Sequence, residues 1–308
     1  MCPCSDGDSP LLQCQEYLVN DKLLLKWYGQ NLLYTNATKY ATKLVPFPLG
    51  LSAVHQQDRY LAKYLELRNF TNPFKGREQK NLWLEWVHGL EQREKEGSLD
   101  AKAEVREAVF VKFGFPGKRN AKKISSQKQR VRQQIMNNLC GGLNSSTNAI
   151  TIQKDDVSCQ SKKAKPSDLY AGASTYLFGL SPRGVGWDCY RTYELLLLGV
   201  VPIVQSRPGG THGLFADLPV IEVTADLGSM SASQLLALTR GYVTSPAFRN
   251  NDFEKGWERL FLRYWRRRML SEAGRDIVTD ENTGKEYYRA WQYGPRQDRV
   301  LCGVGDCQ

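Results

Sequence analysis

The sequence predicts an α/β fold built on a parallel, Rossmann-like sheet, and three observations carry that prediction. Strand and helix signals alternate from residue 109 to residue 241. Parallel strands need that order, because each crossover between them takes a helix. The stretch from Tyr176 to Gln205 reads as strand, tight turn, helix and strand, the repeating unit of such a sheet. Finally, 308 residues, 41% of them hydrophobic and 24% charged, suffice for two domains with cores of their own.

Taken in order, Leu18 to Trp27 is apolar and reads as a strand or a short helix. Lys43 to Leu51 is extended, since its two prolines push the preceding residues away from the helical region. Arg59 to Arg68 spaces Tyr60, Leu61, Tyr64 and Leu65 as a helix would. Residues 69–80 are polar and turn-rich. Asn81 to Gly89 carries Leu82, Trp83, Trp86 and Val87, and Ser98 to Glu107 is charged and linker-like. The character changes at Ala108. Val109 to Phe113 is a strand signal, Gly114 to Asn120 a turn, and a basic helix runs to about Leu139.

Ala149 to Gln153 is a short strand, Cys159 to Pro166 a basic loop, and Ser167 to Thr175 a short helix capped by Ser167. Beyond Gln205, Leu218 to Val223 is a strand and Ser231 to Arg240 an amphipathic helix. Phe253 to Leu270 predicts one long helix, with Arg266, Arg267 and Arg268 at its end, where cations favour the helix dipole. Residues 271–308 predict a poorly ordered or loosely packed tail. The resulting division is 1–107, 108–245, 246–270 and 271–308.

Several function classes lose support at once. No apolar run reaches the 18 residues or more that a membrane helix needs, and the N-terminus lacks the basic and apolar regions of a signal peptide. Eight cysteines include no CxxC pair, and three histidines are too few for a zinc site of the usual spacing. Sequons at Asn36, Asn69 and Asn144 are no more than chance supplies. The net charge of +10 is local: residues 111–165 hold twelve Lys and Arg against Asp155 and Asp156, while the remainder is balanced. Such a patch fits a phosphate-bearing or polyanionic partner, or else a solvated face. No aromatic interleaving or motif points to nucleic acid.

The chemistry concentrates in the turn after Leu180. Ser181, Pro182, Arg183 and Gly184 end the strand, and Asp188 sits where an N-cap would sit, before a helix from about Cys189 to Leu198 stopped by Gly199. A strand that turns into a helix N-terminus presents backbone N–H groups to a phosphate. Arg183 and Arg191 would clamp a diphosphate with their forked donors. Arg191 would equally pair with Glu194, three residues on. Glu194 would hold a ribose, or simply that arginine. Gly184 and Gly186 would let a phosphate approach the backbone, although the full dinucleotide fingerprint is absent. Lys118, Arg119 and Asn120, in the first strand-to-helix turn of the second domain, would touch the same phosphates from the other side, or else form a solvated basic turn. Cys189 with His212 matches no thiol nucleophile motif, and Asp6 with Asp8 forms a D-x-D that no strand precedes.

The ordered set Pro182-Arg183-Gly184, Arg191, Glu194 and Pro202 resembles the exostosin family of glycosyltransferases. Lys26 to Asn31 and Val45 to Leu51 are similar to segments of that family's amino-terminal half. The resemblance implies a GT-B architecture of two Rossmann-like lobes, with residues 1–107 a short or truncated acceptor-side lobe. It implies that Ser181, Pro182, Arg183, Gly184, Asp188, Arg191, Glu194, Lys118, Arg119 and Asn120 face the donor. The donor would be a nucleotide sugar, usually a UDP-sugar, with inverting transfer to a glycan or glycoprotein acceptor and no essential metal. The family's usual compartment is the Golgi lumen. The competing expectation is a catalytically inactive module that binds polyanions through 111–165.

Overall fold

The computed structural model describes residues 17–31, 42–51, 74, 77–98, 100, 108–111, 126–140, 166–184, 186–206, 213–246, 248, 254–273, 277–279, 286–288 and 302–303. The predictions on Arg59 to Arg68, Ala149 to Gln153, Lys118, Arg119, Asn120, His212, Asp6 and the three sequons lie outside these residues.

The first strand among the described residues, β1 (Trp27–Gly29), pairs in parallel with β2 (Leu44–Pro46). Helix α1 (Arg77–Lys95) follows. It begins within the stretch read as polar turn, because Trp86, Val87 and Leu90 give it an apolar face to bury. Then come β3 (Val109–Phe110), α2 (Ser126–Cys140) and α3 (Pro166–Ala173). The central unit is β4 (Phe178–Ser181), α4 (Tyr190–Leu197) and β5 (Val201–Gln205), followed by β6 (Ile221–Val223). Strands β3 to β6 lie side by side in sequence order, all parallel. The protein is therefore mixed α/β with parallel sheets, as the alternation predicts.

Local chemistry explains the central unit. Helix α4 is buried all round from Thr192 to Leu197, which a run of four leucines allows. Tyr193 and Leu196 pack with Phe178, Val201 and Ile203 of the sheet, whereas Leu195 and Leu197 pack with Leu169, Tyr170 and Trp257. The helix ends in a Schellman motif. Gly199 takes φ 79°, its N–H reaches the Leu196 carbonyl, and that of Val200 reaches Leu195. Pro202 is tolerated inside β5 because successive N–H groups point to opposite sides. Val201 donates toward β4, at Leu177, and pairing with β6 starts only at Ile203.

Helix α5 (Ala232–Thr244) starts at a full capping box between Ser231 and Gln234. The single long helix predicted for 253–270 is instead two. Helix α6 (Glu254–Trp257) and a 3₁₀ turn (Glu258–Leu260) precede α7 (Leu262–Glu272). The break falls at Phe261, whose backbone is extended at φ −110° and ψ 140°. Trp257 thereby buries against the α4 side of the sheet, while Trp265 packs edge-on to Phe47 beside β2. One straight helix would not send both tryptophans to those two places. The tail also departs from expectation: β7 (Ile277–Thr279), β8 (Glu286–Tyr288) and β9 (Cys302–Gly303) form an antiparallel sheet. The β-branched residues of β7 and the tyrosines of β8 satisfy strand preference better than the polar average of the tail suggests. Among the described residues no helix is long and apolar enough to cross a membrane.

Candidate functional site

The carboxyl edge of the four-stranded sheet collects the residues that the sequence singles out. Ser181 ends β4, buried, with its hydroxyl 2.9 Å from that of Thr192 in the first turn of α4. This bond fixes how the strand enters the helix. Between them the chain turns tightly around Cys189. Its thiol accepts from the Gly184 N–H at 3.0 Å and donates to the Pro182 carbonyl at 3.5 Å. Burial pushes the Cys189 thiol up to about 11, against the help of the Gly184 N–H. It stays protonated at neutral pH, so it staples the turn rather than acting as a nucleophile.

The N-cap of α4 is Cys189, not Asp188, and its side chain makes no capping bond. The Asp188 cap is thus corrected by one residue. The reason is the pull of a distant partner. Asp188 Oδ2 accepts from the Leu49 N–H at 2.6 Å and from the Tyr193 hydroxyl at 2.8 Å, and the Asp188 N–H donates to Asn31 Oδ1 at 2.8 Å. The side chain faces the N-terminal segments and leaves the first turn of the helix open. Gly186 is required there: a Cβ would collide with the Asn31 side chain. Burial pushes the Asp188 carboxyl up to about 6, although the bonds from Leu49, Tyr193 and the Cys189 backbone favour its ionised form.

The arginines line the same turn. The Arg183 guanidinium lies 4.6 Å from the Trp187 ring centroid, a stacking that holds it in place. Arg191 Nε meets Glu194 Oε2 at 3.3 Å, with both side chains largely buried. Glu194 Oε1 accepts from Tyr170 at 3.3 Å. The local ion pair read from the spacing is therefore present, and it leaves lone pairs on both carboxylate oxygens. A third arginine arrives from α2. Arg132 Nη2 would lie 3.8 Å from a Cβ placed on Gly184. Burial, and then the charge of Arg191, lower its proton affinity. Sequence reasoning missed Arg132 because it sits inside a generally basic helix. The spacing of its neighbours Val131, Ile135 and Leu139, all buried, shows which face of that helix turns inward.

Unsatisfied polarity gathers at this edge, as it does also at Trp86 Nε1 and at Arg240 on α5. Arg183 Nε, Asp188 Oδ1, Arg191 Nη1 and Gln205 Oε1 are buried and meet no hydrogen-bond partner among the described residues. Buried polar atoms are seldom left so, and each costs about 1–3 kcal/mol. Two are guanidinium donors, and Gln205 ends the neighbouring strand β5. No group of three or more His, Cys, Asp or Glu is placed to hold a metal among the described residues. No family model and no curated protein matches the chain.

Proposed function

We propose that the chain is a glycosyltransferase with a GT-B arrangement, transferring a sugar with inversion from a nucleotide sugar, in the first instance a UDP-sugar, to a glycan or glycoprotein acceptor. The observation that carries this reading is the pair of buried guanidinium donors, Arg183 Nε and Arg191 Nη1, that meet no acceptor among the described residues, beside a helix whose N-cap residue makes no side-chain capping bond. An anion at that turn would satisfy the side-chain donors and the first backbone N–H groups of α4 together. The parallel strands favour the same place, since open α/β sheets bind ligands beyond their carboxyl ends.

In this mechanism the donor diphosphate lies on the turn from Pro182 to Arg191. Arg183 and Arg191 stabilise the charge that develops on it as the sugar–phosphate bond breaks, the role a metal ion plays elsewhere. Glu194, held by Arg191 and Tyr170, accepts the ribose hydroxyls. The acceptor hydroxyl enters from the side of β1 and β2, which Asp188 ties to the turn through Asn31 and Leu49.

The test is UDP-sugar binding and hydrolysis by the whole chain, compared with Arg191→Ala and Glu194→Ala. Loss of one to two orders of magnitude in affinity for Arg191→Ala is expected from removing charge-assisted bonds. Unchanged affinity in both variants would sink the assignment. A module that binds polyanions through 111–165 would instead ignore both substitutions and lose affinity steeply with salt.

A further inference from the structure

We propose that Arg132 on α2 is a third phosphate-binding arginine of this site, and that it gives the site its preference for a diphosphate over a monophosphate. This rests on the reading of the turn as a diphosphate site. Arg132 comes from a different crossover than Arg183 and Arg191, yet its Nη2 approaches the backbone at Gly184. Gly184 is held in place by the Cys189 thiol. Arg132 thus reaches, from the helix after β3, the turn after β4 that carries Arg183 and leads to Arg191.

Convergence of like charge has a cost. Arg132 lies close enough to Arg191 for that charge to lower its proton affinity, after the larger effect of burial. An exposed pair would swing apart into water. Here α2 is held in place near Arg132, where Ile135 and Leu139 are buried along the same face and Asn138 Nδ2 donates to the Gly228 carbonyl at 2.8 Å. Arg191 is held by Glu194. Positive charge is therefore gathered beside one turn, and a ligand carrying two or more negative charges is favoured there most. A monophosphate offers less charge to share among three guanidiniums, so each added arginine steepens the dependence on ligand charge.

The experiment is calorimetric titration of UDP and UMP into the whole chain and into Arg132→Gln, Arg132→Lys and Arg191→Ala. Arg132→Gln is expected to weaken UDP by about tenfold or more and UMP by less, so that the ratio of the two affinities falls. Arg132→Lys keeps the charge and is expected to restore most of that ratio, which a purely structural arginine would not do. Melting of the ligand-free variants checks folding, and the Lys variant keeps the question answerable if the Gln variant unfolds. Wild-type UDP affinity in Arg132→Gln, alongside loss in Arg191→Ala, overturns this inference and leaves the proposed function standing. Equal losses for UDP and UMP overturn the diphosphate preference. No loss in any variant overturns the function reading itself.

Discussion

The N-terminal strand pair and the four-stranded sheet are both parallel, but they are held in opposite ways. The four-stranded sheet is stabilised by a continuous apolar core that runs from Val109 through Phe178, Leu196 and Ile203 to Leu236. The pair β1–β2 has a far smaller core, with Val19 and Leu44 buried beside Trp27 and Val45 buried as well, and leaves Leu23 and Leu25 exposed. Its attachment is largely polar and specific. Asn31 and Leu49 bond to Asp188, Tyr28 donates to Glu272 of α7, and Phe47 packs on Trp265. Area-driven packing makes a body, while a few directional bonds make a joint between bodies. The joint falls on the residue next to the start of α4, so the placement of the strand pair and the shape of the candidate donor turn are set by one side chain.

Four substitutions or titrations would break this contrast, in descending order of effect. Leu196→Ala removes a fully buried side chain between α4 and the sheet. A loss of about 2–5 kcal/mol is expected, and both regions should melt together in calorimetry. Next is the pH dependence of Asp188. Its folded-state value is raised from 3.8 to about 6 by burial, so between those values the folded protein keeps a proton that the unfolded chain has lost. Stability therefore falls as pH rises through that window, by about 3 kcal/mol in all, and levels off above it. The groups facing Asp188 are Tyr193, the Cys189 thiol and the Leu49 N–H, and of these only Asp188 titrates in the window. In Asp188→Asn the slope in denaturant-melt stability between pH 4 and 6 should flatten; an unchanged slope would assign it elsewhere.

Gly186→Ala drives a methyl into Asn31. A cost of about 1–3 kcal/mol is expected. It should appear as faster amide exchange at Asp188 and Leu49, with the protection of β4 and β5 retained. If β4 and β5 lose protection too, the joint and the body are one cooperative unit. The smallest effect is that of Glu272→Gln, which weakens the bonds from Tyr28 and Arg268 on a partly exposed face. It should cost less than about 1 kcal/mol in melting experiments.

The contrast also explains what could be read from the sequence. The body of the sheet was legible because its signals are local. The apolar run before Ser181, the four leucines of α4, Gly199 as its stop and Ser231 as a cap each act within a few residues. The turn was legible for the same reason. The joint was not. The cap preference of Asp188 is real, but it loses to Asn31 and Leu49, which lie more than a hundred residues away in sequence. Arg132 was hidden among the other cations of a basic helix, where only the apolar spacing of Val131, Ile135 and Leu139 marks the inward face. The break at Phe261 was hidden because Trp257 and Trp265 keep helical spacing while packing on different parts of the molecule. The tail strands were hidden by averaging polarity over a span longer than a strand.

The central claim, that the turn at the carboxyl edge of β4 receives a nucleoside diphosphate, is tested most directly by hydrogen exchange of the whole chain with and without saturating UDP. The account predicts that protection rises in the peptide covering 182–192, at the open start of α4, and also in the part of α2 that carries Arg132. Protection gained only outside those two stretches, with the exchange of 182–192 unchanged, would contradict it.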